Sequence, residues 1–398
     1  MSTPLITDFL RDIKVVDADT HIIEPYDLWT SRMSVSKWGD LVPHVVWDEG
    51  MGREVWVTGD ELLRPATSAA FAGWGKPAPD GPRRWSELKP EHYQAEDRLA
   101  LMTRYGIHSA VLYPNVPGFG AGKFNNVAGK NGELGLELFR VYNDFLVEFC
   151  SCDPDRYIPM MAMPFWDIDL CIAEMERSAA NGHRGIIFSQ QPELYGCPPL
   201  GDRHWDRLWG AAQEMRLPVN FHVGSGDVDS ALLPPEAGRH ANYAAVCGLI
   251  YMGNARAIAT MIGSGACHRF PDLQIVSVES GVGWIPFLLQ SLDWMWKESG
   301  VAREHPEYEL LPTDYFRRQM YCCFWFEEGP VLDAAVDYLG ADRILYETDF
   351  PHPTSMSPGP SSSALPAKEF IARNLGHMPE ATLRKVLHDN AAGLYQIS

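Results

Sequence analysis

From residue 91 onward the chain alternates between two hydrophobic patterns. Stretches with apolar residues three and four apart, the period of a helix with one buried face, each lead into a short run that is apolar throughout. The spacing predicts helices over 95–105, 133–152, 168–181 and 202–215, leading into strands over 109–113, 157–163, 185–189 and 219–224. Gly106, Gly182, Asp153-Pro154 and Leu217-Pro218 supply the breaks between them. The rhythm resumes with strands at 273–281, 320–326 and 343–349, and the opening stretch at 15–21, a short buried strand ending in ligand-type side chains, makes eight. Strands apolar on both faces belong to a parallel sheet covered on both sides. Eight such units predict an α/β fold, a (β/α)8 TIM barrel forming one domain over 1–398.

Two stretches break the rhythm. Residues 30–90, after the first strand, are rich in Gly, Pro and Trp, with a hairpin predicted for 44–47 against 54–57. This insertion reads as a lid that its tryptophans pack together. Residues 225–265, after the fifth strand, form a second insertion, long enough to suggest function.

Composition narrows the partners. A net charge of −19 excludes nucleic acid and anionic membrane surfaces, which need a basic face, and leaves a small molecule as the partner. The aromatic insertions also suit a homodimer interface. Eight cysteines in 398 residues, several in apolar settings, read as free thiols and not as a disulfide framework. The chain opens Met1-Ser2-Thr3-Pro4 without a signal pattern, and no apolar run is read as a membrane span. The expected location is cytoplasmic.

In a barrel of this kind the site lies at the C-terminal ends of the strands. Those ends carry Asp19 and His21 (first strand), His222 (fifth), Glu279 (sixth) and Asp349 (eighth). Asp17, Asp19 and His21 alternate onto one face of the first strand, and Glu24 follows. Polar groups turned into a core are costly unless something charged sits among them, and a cation is the simplest answer. Asp19, His21, Glu24, His222, Glu279 and Asp349 are therefore the candidate metal ligands. Asn115, after the second strand, and His240, in the second insertion, are the candidate substrate contacts. His183 and Arg184 precede the fourth strand, at the opposite end, and read as structural.

Asp19-x-His21, His222 and Asp349, with Tyr113-Pro114-Asn115, Asp153-Pro154-Asp155-Arg156, Phe270-Pro271-Asp272-Leu273, Thr348-Asp349-Phe350-Pro351-His352 and Asp389-Asn390-Ala391-Ala392, resemble the amidohydrolase superfamily. The likeness is to the branch containing aminocarboxymuconate-semialdehyde decarboxylase and covers nearly the whole barrel. It implies a metal-dependent enzyme. Three positions depart from the pattern. Asp19 stands where those proteins carry His or Glu, Glu279 stands where the decarboxylases carry an assisting histidine, and no lysine follows strand four.

Four carboxylates and two imidazoles exceed what one divalent ion needs, and like charges repel unless neutralised. A second ion would relieve them, and the ligand types suit iron. This inventory is similar to that of dinuclear non-heme iron oxygenases on helical bundles, and the chain resembles the diiron monooxygenase type from diterpenoid biosynthesis within the same superfamily. The expectation is a two-iron monooxygenase hydroxylating a bulky apolar acid or thioester, served by an electron donor, with His352 orienting Asp349. The alternative is a hydrolase or decarboxylase of a small carboxylate with one zinc or manganese ion, in which Asp349 and Glu279 carry protons.

Overall fold

The computed structural model describes residues 12–227, 231–352 and 356–397. The opening four residues and positions 228–230 of the second insertion lie outside that range. Eleven strands are present among the described residues: β1 (Val16–His21), β2 (His44–Asp48), β3 (Arg53–Thr58), β4 (Glu61–Pro65), β5 (Ser109–Tyr113), β6 (Tyr157–Ala162), β7 (Gly185–Phe188), β8 (Val219–His222), β9 (Ile275–Val278), β10 (Met320–Phe324) and β11 (Ile344–Tyr346). Eight form one parallel sheet in the order β1-β5-β6-β7-β8-β9-β10-β11. The ring closes where Thr20 bridges Phe350, with the Asp349 N–H donating to the Asp19 carbonyl at 3.0 Å. This is the (β/α)8 barrel that the alternating pattern predicts.

Each barrel strand is short and almost wholly buried, so the continuous apolar runs face side chains inside and helices outside. The helices α1 (Ala95–Tyr105), α2 (Gly132–Cys150), α3 (Ile168–Ala180) and α4 (Asp206–Glu214) fall within a few residues of their predicted spans. Side chains begin several of them: Asn131 accepts from the Leu134 N–H, and Asp167 from those of Asp169 and Leu170.

The first insertion is more regular than expected. β2 and β3 form the predicted hairpin, with Trp47 opposite Glu54, and β4 adds a third antiparallel strand. Its tryptophans do pack it down: Trp29 and Trp56 are both fully buried and meet edge to face at 5.1 Å.

The second insertion holds α5 (Arg239–Ile250) and α6 (Asn254–Gly263). By length and composition the stretch Arg239–Gly263 could cross a membrane, which corrects the expectation that no run is long enough. The turn at 251–253 divides it. α6 buries Ala257, Ile258, Met261 and Ile262 against the barrel, whereas α5 buries none of its residues.

Candidate metal centre

The strand ends do converge. Asp19, His21, His222 and Glu279 offer ligand atoms within 4.8 Å of one another, and His21 and Glu279 are shared with a second group containing Asp349 and His352. All six residues are buried. The Nε2 atoms of His21 and His222 face each other at 3.0 Å. Asp19 reaches them at 3.6 and 3.5 Å, Glu279 lies 3.2 Å from His222, and Asp349 lies 3.6 Å from His21. Neighbouring ligands about 3 Å apart are what bonds of about 2.1 Å to a single ion produce. The His222 Nδ1 lies 2.7 Å from the Val223 carbonyl, an N–H donor contact that leaves Nε2 as a lone pair. Both Asp19 oxygens are buried with no hydrogen-bond donor among the described residues. Orphaned acceptors around two opposed imidazoles fit a divalent cation.

Electrostatics separate the acids. Burial, and then the charges of Glu279 and Asp19, push the Asp349 carboxyl well above its usual range. Burial would raise Glu279 too, but contacts with His352 and His222 outweigh it and hold Glu279 below its usual value. Burial and the neighbouring imidazoles His352 and His222 keep His21 neutral, the form a metal needs. Two neighbouring carboxyls pushed apart in this way can divide acid and base duties. His352 Nδ1 sits 2.6 Å from Asp349, and its ring stacks on His21 at 4.3 Å. Glu279 and Asp349 both adopt left-handed backbone, at φ 53° and 54°. Non-glycine residues are held there at a cost, and such strain gathers at functional sites.

Several expected residues go elsewhere. Glu24 does not join the cluster, because its Oε1 accepts the backbone N–H groups of Asn115 and Val116, both at 2.8 Å. Asp17, expected on the same face, turns to β11 and accepts the Thr348 N–H at 2.8 Å and the Thr348 hydroxyl. Asn115 spends its amide N–H on the Ile22 carbonyl and leaves Oδ1 unpartnered at 3 % exposure. His240 is half-exposed and away from the cluster, bound to the Ala78 carbonyl at 3.0 Å and facing Asp80 at 3.5 Å.

The sequence reading misses Arg64, on β4. Its guanidinium donates to the Asn115 carbonyl and lies 4.7 Å over the ring of Phe119. Phe119 itself covers His21 and His222, at 4.8 and 4.6 Å. Arg64 thus brings a positive charge to the edge of the centre, and among the described residues no acid forms an ion pair with it. Desolvation lowers it to about 10 against the pull of Glu24 and Glu279, so it stays charged.

A family model described as amidohydrolase matches residues 16–397. The chain belongs to this family. Among relatives of this amidohydrolase is the gamma-resorcylate decarboxylase of Polaromonas sp. strain JS666, 27% identical over 278 residues, or 67% of this chain and 80% of that protein. An amidohydrolase structure from Mycobacterium avium subsp. paratuberculosis matches with TM-score 0.72 at 24% identity, covering 96% of this chain and 99% of that one. A dihydroxybenzoic acid decarboxylase from Polaromonas sp. JS666, with bound manganese and the inhibitor 2-nitroresorcinol, matches with TM-score 0.62 at 19% identity over 96% and 97% of the two chains.

The decarboxylase relatives overturn the expected two-iron monooxygenase. The physical reason is in the acids. Glu24, one of the four carboxylates that call for a second ion, is held by the Asn115–Val116 backbone and so drops out of that count. This amidohydrolase is a metal-dependent enzyme with a buried centre for a divalent cation.

Proposed function

We propose that the chain is a decarboxylase of a hydroxyaryl carboxylate, holding one divalent cation, such as manganese, on Asp19, His21, His222 and Glu279. The observation that carries the substrate class is Arg64, a guanidinium beside the centre with no acid paired to it among the described residues. Arginine's planar fork suits a carboxylate. The decarboxylase relatives supply the reaction class.

When bound, the cation would neutralise and orient the oxygen atoms of the substrate. Arg64 anchors the carboxylate, and Phe119 offers an aromatic face beside it. Asp349, whose carboxyl is pushed well above its usual range by burial and by the charges of Glu279 and Asp19, is the group placed to donate a proton to the ring carbon bearing the carboxylate. The bond from that carbon to the carboxylate then breaks, its electron pair returns to the ring, and carbon dioxide leaves. Asp349 is left as a carboxylate and recovers a proton from water by way of His352 Nδ1, 2.6 Å away. No electrons are exchanged, so no donor protein is needed.

The test is to incubate manganese-loaded protein with ortho-hydroxybenzoates and follow carbon dioxide, the phenol and dissolved oxygen together. The expected result is equal yields of phenol and carbon dioxide with no oxygen consumed. Hydrolysis of aryl esters or amides, with the benzoates untouched, would overturn the reading. Arg64→Gln is expected to raise KM by about tenfold or more, the usual loss for a hydrogen bond to a charged group. Metal content separates the acids: Glu24→Gln should keep one ion per chain, and His222→Ala should lose it, both read by elemental analysis.

A further inference from the structure

The metal pocket is closed. Asp19, His21 and His222 have no exposure, and Glu279 and Asp349 have little, so a substrate reaches them only if something moves. α5, which lies between β8 and α6, is the element placed to do so. α5 has no fully buried side chain, and Leu249, with Met252 in the turn after the helix, stands out into solvent at 52% and 43% exposure. It begins after Gly238 at φ 82°, a backbone that glycine adopts freely, and ends in the turn at 251–253.

Beyond that turn the chain is firmly held. Asn254 donates to the Phe221 and Val278 carbonyls and the Ser277 hydroxyl, at 2.8, 3.2 and 2.9 Å, and accepts from Gln190. Gln190 also donates to the carbonyl of His222 at 3.2 Å. A weakly held helix therefore adjoins a clamp on the strand end that bears His222. This contrast in burial is the signature of a unit that opens by itself.

On α5, Tyr243 and Cys247, and then Tyr251 in the turn, fall four residues apart and so form one stripe. Tyr251 meets Trp325 and Phe326, beyond β10, at 5.0 and 5.2 Å. Burial pushes all three groups up; Tyr243 and Cys247 hydrogen-bond each other, and the charges of Glu279 and Asp349 raise all three further. Tyr251, packed on the segment that follows β10, and Asn254, clamped to the ends of β8 and β9, set this stripe at the rim of the barrel that carries the centre.

The other end of α5 is tied to the first insertion. Arg239 pairs with Asp80, and His240 lies 3.5 Å from the same carboxylate and 3.0 Å from the Ala78 carbonyl. This post is anchored in turn, because the Phe71 and Ala72 N–H groups both donate to the Pro351 carbonyl, next to His352.

We propose that α5 is the hinged roof of the metal pocket, that Asp80 latches it to the first insertion, and that Tyr243, Cys247 and Tyr251 are the side chains it lays against the substrate. The gate then belongs to the second insertion, and the first supplies the post. Asp80 is a positioning residue, acting through Arg239 and His240. This takes the metal pocket as the place of reaction, and it is tested without turnover.

Hydrogen exchange on the manganese-loaded full chain should find the amides of 242–250 exchanging about tenfold or more faster than those of 257–263, since exchange reads local opening. Asp80→Asn should speed the first set by about fivefold and leave the second within about twofold, the size expected on losing a partly exposed ion pair. Loss of manganese to excess EDTA should quicken in step. Arg239→Gln removes the same pair from the other side and should match. Equal protection of the two helices in the unmodified protein would overturn the proposal. So would an Asp80→Asn variant whose two helices loosen together, or whose manganese loss is unchanged. A chain that binds no manganese would instead defeat the metal-dependent reading, and the exchange measurement on α5 would still stand as a test of the roof.

Discussion

Replacing Asp349 with asparagine should lower decarboxylation about 10³-fold while leaving the fold and the bound ion in place. Asparagine has the same shape and can still face His352, but it has no proton to give to carbon. The pH profile makes the test specific. A group acting as an acid works only while protonated, so activity falls as pH rises through its pKa. Burial and the neighbouring charges of Glu279 and Asp19 push that pKa well above the usual carboxylate range. Turnover should therefore persist far beyond the pH at which an ordinary aspartate has lost its proton, and fail only above that. Glu279→Gln gives the contrast. It removes a proposed ligand of the cation, so it should lower metal content along with activity, and added manganese should restore part of the rate. Steady-state rates from pH 5 to 9, with metal analysis of each variant, separate the two roles. An Asp349→Asn protein with near-normal turnover would sink the assigned acid.

Most of the strands were legible because a parallel strand buried on both faces is mainly apolar, as in Ser109–Tyr113, Tyr157–Ala162 and Gly185–Phe188. The metal centre was legible for a related reason. Asp19, His21, His222, Glu279 and Asp349 each follow such a run directly, and the barrel carries every run to one rim. Glu24 shows where that reasoning stops. In one dimension it is a carboxylate three residues beyond a ligand, indistinguishable in kind from Glu279. Only the fold brings the Asn115 and Val116 N–H groups to it, and two backbone donors claim the oxygen a metal would have used. Counting Glu24 as a ligand gave weight to the monooxygenase reading that the decarboxylase relatives overturn. Arg64 was hidden for the opposite reason. It lies on β4, where Leu62 is 41% exposed and the pattern is too mixed to announce a strand, and 51 residues separate it from the Asn115 carbonyl it reaches. His240 has the right chemistry for a ligand, yet α5 carries it to Asp80 instead.

Asp17 should prove a main staple of the barrel and a source of its pH sensitivity. It joins the first strand to the segment after the last, accepting both the N–H and the hydroxyl of Thr348 from a position with no exposure. Asp17→Ala would leave two donors buried and unpaired at the seam where the ring closes, a loss of about 2–4 kcal/mol. Burial, only partly offset by the Thr348 bonds, raises the Asp17 carboxyl from 3.8 to about 7. A raised acid favours the folded state most when the unfolded chain is also protonated. Its contribution is therefore full below about pH 4, declines as pH rises toward about 7, and is level above that. The decline is at most about 4 kcal/mol, from roughly three pH units at 1.36 kcal/mol each. Asp17→Asn keeps an oxygen for the Thr348 N–H and cannot ionise, so it should be less stable than the unmodified protein at pH 4.5 and close the gap by pH 7.5. Thermal melts of the two proteins at matched pH, both stripped of metal so that cation binding adds no pH dependence of its own, read that difference directly. A gap that stays constant from pH 4.5 to 7.5 would show that Asp17 ionises in the folded barrel as freely as in the unfolded chain, and that its hold on Thr348 outweighs its burial.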